Sequence, residues 1–360
     1  MRGLVLIVRR IGSINGVKLY DVIRSEENIY SAIKEASKDH AKDPAVRRMK
    51  ADPEPYANAV KDILDHESYK PSRYKTKVIY ERGKRRKLCY SRTFPDRIIQ
   101  HCVFNVVGPI LHNTIPTCSY AGVKGRGVHD CRTAIKDAIR NDPYGTQYVA
   151  KMDVYHFFQS IPRQRIFDMI RAKIKCRRTL NLIHTIIFDV PGRKGLPIGL
   201  FSSQILSTYF LSYIDHFCKE ILHLKHYYRY MDDIVILGSN KPQLHACIEH
   251  IRDLLHDKDL RLKGNYQVFP LAKRRLDFVG FVQDRFGHVL IRKRTKISYK
   301  KACKRVIQAL KDKDTLHIAH HIRSMVTYKG CIAKWCTEHG LIKKYGHKVS
   351  IALEFGVEAI

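Results

Sequence analysis

Apolar residues recur at helical spacing over several long stretches of this sequence. The first stretch covers residues 26–66 and is interrupted by Pro44, Pro53 and Pro55, so it predicts more than one helix. Later stretches with the same spacing predict further helices at residues 97–111, 129–140, 201–222, 241–258 and 292–313.

Short apolar runs between these stretches predict β-strands. Residues 77–90 fit a strand, a turn at Gly83 and a second strand, and residues 147–154 form an apolar run that ends at an acid. The remaining runs predict two further hairpins, at residues 226–237 and 276–291. The pattern is that of an α+β protein with an antiparallel sheet at its centre.

The charge of the chain points to the kind of partner it binds. Its 360 residues include 66 Lys and Arg against 34 Asp and Glu, a net charge of +32. Such a surplus favours nucleic acid as the partner over an acidic membrane surface, because no apolar run approaches the roughly 18–20 residues of a spanning helix. Ten cysteines without a CxxC pair, and no signal peptide, predict reduced thiols in a cytoplasmic protein.

The predicted hairpin at residues 77–90 lies in the most basic part of the chain. Residues 70–97 contain eleven Lys and Arg against two acids, together with Tyr74, Tyr80 and Tyr90. A charge run of this kind is often only a solvated face. On a hairpin that also carries tyrosines, it equally suits a flap that grips phosphates.

Three acids fall at the ends of predicted strands. Asp232 and Asp233 lie in the turn of the hairpin at residues 226–237, and Asp153 ends the run at residues 147–154. Adjacent buried carboxylates repel one another, and a divalent cation removes that repulsion. Two strands side by side would bring the three acids together, as two-metal phosphoryl transfer requires.

Three segments in this order resemble motifs A, B and C of reverse transcriptases: residues 153–158 (DVYHFF), 195–204 (GLPIGLFSSQ) and 230–233 (YMDD). Residues 95–100 and 119–127 resemble the first two conserved blocks of that family, and residues 276–281 resemble its primer-grip hairpin. The resemblance spans roughly 70–330. It implies a right-hand polymerase fold with fingers, a palm and a short helical thumb.

The same resemblance implies how the chain is divided. The expected parts are an N-terminal helical extension, fingers, a palm, and a thumb with a C-terminal tail, at residues 1–66, 67–150, 151–290 and 291–360 respectively.

Carried over position by position, the resemblance implies a catalytic centre. Asp153, Asp232 and Asp233 would hold two Mg²⁺ ions, for which Mn²⁺ can substitute. Members of the family usually have a lysine shortly after the motif C helix, a candidate proton donor to pyrophosphate. The lysine expected just after Asn265 is absent, so Lys263 substitutes for it or the role is unfilled.

The resemblance also implies residues that bind the incoming deoxynucleoside triphosphate. Lys84 and Arg86 match a basic pair on the fingers hairpin, and Phe158 matches a bulky side chain that excludes a 2′-hydroxyl. Arg126 lies in a Gly-rich block that lets phosphate approach closely. Phe158 could instead be a core aromatic residue, and Arg126 could form a structural salt bridge.

Motif B points to a subfamily. Most reverse transcriptases carry Gln and Pro where this chain has Ile198 and Gln204, both of which are assigned to the nucleotide site. This double replacement resembles the enzymes of diversity-generating retroelements, which copy a template RNA into cDNA with errors at adenines. That subfamily implies a structured template RNA and a small basic accessory protein that forms a pentamer.

Two alternatives stay open on the sequence alone. One is a retron, group II intron-like or abortive-infection reverse transcriptase. The other belongs to a different class of protein, an RNA-binding protein with a catalytically inactive polymerase fold.

Overall fold

The structure, a computed structural model, describes residues 10–38, 43–81, 83–333, 345–350 and 354. The strands in these residues are β1 (Ser13–Ile14), β2 (Val17–Lys18), β3 (Lys75–Glu81), β4 (Lys84–Tyr90), β5 (Tyr148–Asp153), β6 (His226–Tyr230), β7 (Asp233–Gly238), β8 (Gln267–Pro270), β9 (Leu276–Phe278), β10 (Phe281–Gln283) and β11 (Val289–Ile291).

The helices described in the same residues are α1 (Leu19–Ile23), α2 (Glu26–Ala36), α3 (Pro44–Ala51), α4 (Glu54–Asp65), α5 (Ile98–His112), α6 (Val128–Asn141), α7 (Phe157–Ser160), α8 (Arg163–Lys173), α9 (Arg177–Phe188), α10 (Phe201–Phe210), α11 (Ser212–His216), α12 (Lys241–His256), α13 (Lys293–Lys311) and α14 (Thr315–Ala333). None of them is long and apolar enough to span a membrane.

Four strands form the central sheet, in the order β6-β7-β5-β8. β5 and β8 pair antiparallel with Ala150 opposite Val268, and the turn Met231–Asp232 joins β6 to β7. β3 and β4 form a separate hairpin whose turn contains Gly83 at φ 76°. The described residues combine helices with antiparallel strand pairs, which confirms the predicted α+β class.

By compactness the described chain separates into two units. One contains residues from 10–127, 152–234 and 246–266, and the other contains residues from 128–151, 235–245 and 267–354. The predicted boundaries of fingers, palm and thumb stay predictions.

Each unit has its own core. In the first unit α5 is buried on almost every side, and Asn28 on α2 donates to the carbonyl of Cys102 at 2.9 Å. In the second unit Phe281, Tyr299 and Val306 belong to one apolar cluster. The helices that contribute these residues carry apolar faces at the spacing read from the sequence.

The structure corrects two of the predicted elements. The helix predicted at residues 201–222 is divided into α10, α11 and a π-helical turn. The division falls where Arg229 Nη2 donates to the carbonyl of Thr208 at 3.2 Å, the acceptor that residue 212 would use in an uninterrupted helix.

The hairpin predicted at residues 276–291 is a three-stranded sheet in the order β11-β10-β9. Val279 at φ 42° and Gly280 at φ 93° form a two-residue turn between β9 and β10. Turns with two positive φ values usually contain Asn or Gly at the first position, so Val279 did not indicate a turn in the sequence.

A buried ion pair joins α11 to β6. Arg229 Nε and Nη2 donate to the two carboxylate oxygens of Asp215 at 2.7 and 2.5 Å, and both side chains are fully buried. Tyr227 donates its hydroxyl to the same carboxylate at 2.8 Å. Arg229 Nη1 reaches forward to the carbonyl of Met231 at 3.0 Å, so the pair also holds the turn after β6.

We expect this pair to respond very differently to one substitution than to two. Arg229→Met leaves the Asp215 carboxylate buried without its cation, and such a loss costs about 3–5 kcal/mol. Adding Asp215→Leu removes the uncompensated charge and should restore most of the lost stability. Urea unfolding followed by circular dichroism measures both effects. A double variant as unstable as the sum of the single variants would contradict this account.

Candidate active site

The three acids singled out in the sequence lie at neighbouring strand ends. β5 ends at Asp153, Asp232 is in the turn after β6, and Asp233 begins β7, which lies beside β5 in the sheet. The amide of Val154 donates to the carbonyl of Asp232 at 3.3 Å, so the end of β5 contacts the turn directly. Met231 has φ 54°, a left-handed conformation that lets the two-residue turn close.

The electrostatics of the acids show that they lie close together. Burial, and after it the neighbouring Asp153 carboxyl, raises the pKa of Asp232 to about 7. The charge of Asp233 acts in the same direction. Among the described residues Asp153 Oδ1 is buried without a hydrogen-bond partner. The burial of this oxygen without a hydrogen bond is unfavourable.

Lys263 supplies a cation to the same centre. Its ammonium contacts Asp153 Oδ2, and its amide donates to the Asp153 carbonyl at 2.9 Å. The segment before it runs beside the end of β5, since Val154 bridges Leu262 and the amide of Tyr155 donates to Arg261 at 2.7 Å. This position is compatible with the interpretation that Lys263 substitutes for the lysine that is absent after Asn265.

The acids fit a divalent cation by their chemistry. In the part of the chain that the structure describes, no group of three or more His, Cys, Asp or Glu side chains is arranged as a metal site. However, Asp153 offers an unpaired buried oxygen, and Asp232 has a carboxyl whose charged form is disfavoured by its acidic neighbours. Both features are what a hard cation with oxygen ligands would relieve.

A cavity of about 410 Å³ opens beside the turn. Phe158, Gln204 and Met231 line it, which brings two residues assigned to nucleotide binding to one place. Arg97 and Gln100 also line the cavity. They were not assigned to the site from the sequence, although they lie in a segment that resembles a conserved block. Gln100 is 1% exposed, and its Nε2 has no hydrogen-bond partner among the described residues.

The loop before α10 is tied to the β3–β4 hairpin. The amide of Cys89 donates to the carbonyl of Ile198 at 2.7 Å, and Gly199 has φ 107°. A Cβ at Gly199 would lie 2.6 Å from the carbonyl oxygen of Cys89, so no other residue fits without moving the hairpin. Cys89 also packs with Val190 and Leu200.

The two basic residues predicted to grip the triphosphate lie at the far end of this hairpin. Arg86 is exposed on β4, opposite Ile79. Lys84 begins β4, and its side chain lies outside the described part of the structure. Their role stays a prediction.

The Arg126 side chain holds a loop together. Its Nη1 donates to three carbonyls, of Ile115, Pro116 and Ser119, at 3.3, 2.7 and 3.2 Å. Arg126 therefore has a structural role through hydrogen bonds to carbonyls, whereas the structural alternative expected from the sequence was a salt bridge. Phosphate binding by Arg126 stays a prediction.

Residues 74–282 match the family described as reverse transcriptase (RNA-dependent DNA polymerase). The chain belongs to the reverse transcriptase family. The enzymes of this family are nucleotidyltransferases, which confirms the enzyme class predicted from the motifs. Family membership also agrees with the predicted polymerase fold.

Solved structures of telomerases are similar to this reverse transcriptase chain at low identity. Apo telomerase from Candida tropicalis matches at 14% identity and a TM-score of 0.47, over 80% of this chain and 62% of that chain. Telomerase from Candida albicans in complex with a fragment of telomeric RNA matches at 12% identity and a TM-score of 0.48, over 81% and 61%. This chain thus spans about three fifths of those telomerases. No curated protein matches the sequence.

We expect the acidic cluster to lower the stability of the metal-free protein above neutral pH. A carboxyl whose pKa rises on folding costs stability as the pH climbs from its ordinary value near 3.8 to about 7, and the whole cost persists above that. Asp232→Asn should therefore raise the melting temperature in EDTA more at pH 8 than at pH 5, by at least about 2 °C.

The matched control for this substitution is Asp168→Asn, which changes an exposed acid on α8. It should shift the melting temperature little at either pH. A gain from Asp232→Asn that is the same at both pH values would show that neither burial nor the neighbouring carboxyls raise the pKa of Asp232.

Proposed function

We propose that this chain is an RNA-directed DNA polymerase that copies a template RNA into cDNA, with Asp153, Asp232 and Asp233 as its catalytic acids. The observation that carries the proposal is the juxtaposition of Asp153 with Asp232 in the turn and Asp233 at the start of β7, in a chain of the reverse transcriptase family. Members of that family generally use divalent metal ions.

The three acids would bind the metal ions in the proposed mechanism. Mg²⁺, or Mn²⁺ in its place, would lower the pKa of the attacking 3′-hydroxyl and offset the charge of the triphosphate. Asp153 and Asp233 would hold the metal ions at the strand ends, and Asp232 would make a weaker contact with them. Lys263 balances the charge of Asp153 and would be the candidate proton donor to pyrophosphate.

The cavity beside the turn is the proposed nucleotide site. Phe158 forms one wall, where its ring would collide with a 2′-hydroxyl and so select deoxynucleotides by exclusion. Arg97 also lines this cavity and would contribute positive charge to it. Lys84 and Arg86 would close over the phosphates from the hairpin.

The proposed assignment predicts a large loss of activity from one acid. Asp153→Asn keeps the size of the side chain and removes its charge, so primer extension on an RNA template should fall at least about a hundredfold to a thousandfold. The exposed Asp168→Asn is the matched control and should keep normal activity.

Substantial extension by Asp153→Asn would remove this residue from the catalytic centre. A wild-type chain that binds RNA but extends no primer with either Mg²⁺ or Mn²⁺ would favour the alternative of an inactive RNA-binding protein.

We further propose that the chain is the reverse transcriptase of a diversity-generating retroelement. Ile198 and Gln204 support this proposal, since both depart from the usual motif B in the manner of that subfamily. Gln204 is exposed on the wall of the proposed nucleotide site, where it can meet a base pair. The net charge of +32 suits a structured template RNA. A pentameric basic accessory protein would complete the assembly.

This subtype predicts errors at template adenines that depend on Ile198. An apolar side chain offers shape and no hydrogen bond, whereas a Gln at this position could contact the nucleotide. One such contact contributes about 0.5–1.5 kcal/mol, so Ile198→Gln should lower misincorporation opposite adenine by roughly two- to twelve-fold. Sequencing of cDNA made on one defined RNA measures the change.

Ile198→Leu is the matched control, because it stays apolar and should keep the error pattern. An active Ile198→Gln protein with an unchanged error spectrum would place the cause of mutagenesis elsewhere.

A further inference from the structure

A second cavity, of about 590 Å³, lies between the N-terminal helices and the base of the β3–β4 hairpin. Its size is in the range of sites that hold small organic molecules. Met49 and Tyr56 come from α3 and α4, and Lys75 comes from the first residue of β3. The turn before α5 completes the lining with Arg92 and Phe94.

The lining combines aromatic rings with cations. Tyr56 and Phe94 meet edge to face, with ring centroids 5.4 Å apart, and Tyr90 is 43% exposed. Lys75 and Arg92 are exposed, and neither forms an ion pair with any other described residue. Aromatic rings hold unpaired bases through their π-faces, and cations hold the backbone phosphates, without reading the base sequence.

The single acid of the lining is already engaged. Asp43 caps α3, and its carboxylate accepts a hydrogen bond from the amide of Ala45 at 2.9 Å. Lys75 and Arg92 therefore outnumber this one carboxylate, which leaves the cavity attractive to an anion.

This cavity adjoins the proposed nucleotide site. Tyr90, Ser91 and Arg97 line both cavities, so a chain that leaves one can enter the other without crossing a wall of protein. The residues of α3 and α4 lie outside the segment that matches the family, which starts at residue 74.

We infer that this second cavity binds the unpaired template nucleotide that follows the one being copied. Its base would pack against Tyr56 and Phe94, and its phosphate would pair with Lys75 and Arg92. The inference rests on the proposed function and assigns the N-terminal helices a part in guiding the RNA strand. The strand then arrives at the nucleotide site already ordered.

The test measures how affinity depends on the length of the template overhang. RNA templates annealed to a DNA primer carry one, two or four unpaired nucleotides beyond the primer terminus. The templates with two and four unpaired nucleotides carry 2-aminopurine at the second unpaired position. With the wild-type chain, the second nucleotide should improve affinity about tenfold, as expected for one base stacked on an aromatic ring. The probe fluorescence should fall on binding.

Tyr56→Ala and Arg92→Ala should lose this gain, while their affinity for the template with one unpaired nucleotide stays unchanged. Tyr56→Phe keeps the ring and should keep the gain. The matched controls are Arg47→Ala, an exposed cation on α3 away from the cavity, and Tyr144→Ala, a tyrosine that is 80% exposed. Melting temperatures confirm that each variant is folded.

The inference is overturned if Tyr56→Ala and Arg92→Ala keep the full gain. It is also overturned if they lose affinity for a free deoxynucleoside triphosphate and keep the overhang effect, because the cavity would then hold a free nucleotide. DNA synthesis on the same templates separates this result from the proposed function. If the chain synthesises DNA but Tyr56→Ala keeps the overhang effect, the proposed function is supported and the inference about the cavity is wrong. If the overhang effect depends on Tyr56 but no DNA is synthesised, the inference is supported and the proposed function is wrong.

Discussion

The bidentate ion pair between Arg229 and Asp215 fixes the turn on which the proposed chemistry depends. Two fully buried charges persist in a protein interior only with complete hydrogen bonding, and here Tyr227 donates to the carboxylate as well. The remaining donors of Arg229 go to the carbonyls of Thr208 and Met231. One guanidinium therefore sets where α10 ends and where Asp232 lies.

The need to hold the turn follows from the repulsion at its tip. Asp232 is crowded by Asp153 and Asp233, which raise the pKa of its carboxyl in addition to the effect of burial. The hydrogen bond from Arg229 to the Met231 carbonyl holds the backbone of the turn against this repulsion. Lys263 neutralises part of the charge from the side of Asp153. Stability is thus lowered locally where a metal ion would later restore it.

The elements that carry the acids could be predicted because apolar runs defined β5, β6 and β7, and because Asp residues stood at their ends. The Arg229 clamp could not be predicted, since an arginine between tyrosines reads as a surface residue until Asp215 is found beside it. The Lys263 contact depends on a loop that pairs with the end of β5, which no periodicity reveals. The cavity next to the N-terminal helices could not be predicted either, because residues that line it, such as Tyr56 and Arg92, are far apart in the chain.

In the loop of motif B, the backbone conformation and the side chain at residue 198 are set independently. The main chain of Ile198 is held by the amide of Cys89, and Gly199 presses against the same residue where a Cβ would not fit. The backbone at this point is therefore set by the hairpin, whatever side chain residue 198 carries. A change at Ile198 alters the side chain and leaves this backbone contact in place, whereas a side chain at Gly199 must displace the hairpin and, with it, the basic residues at its tip.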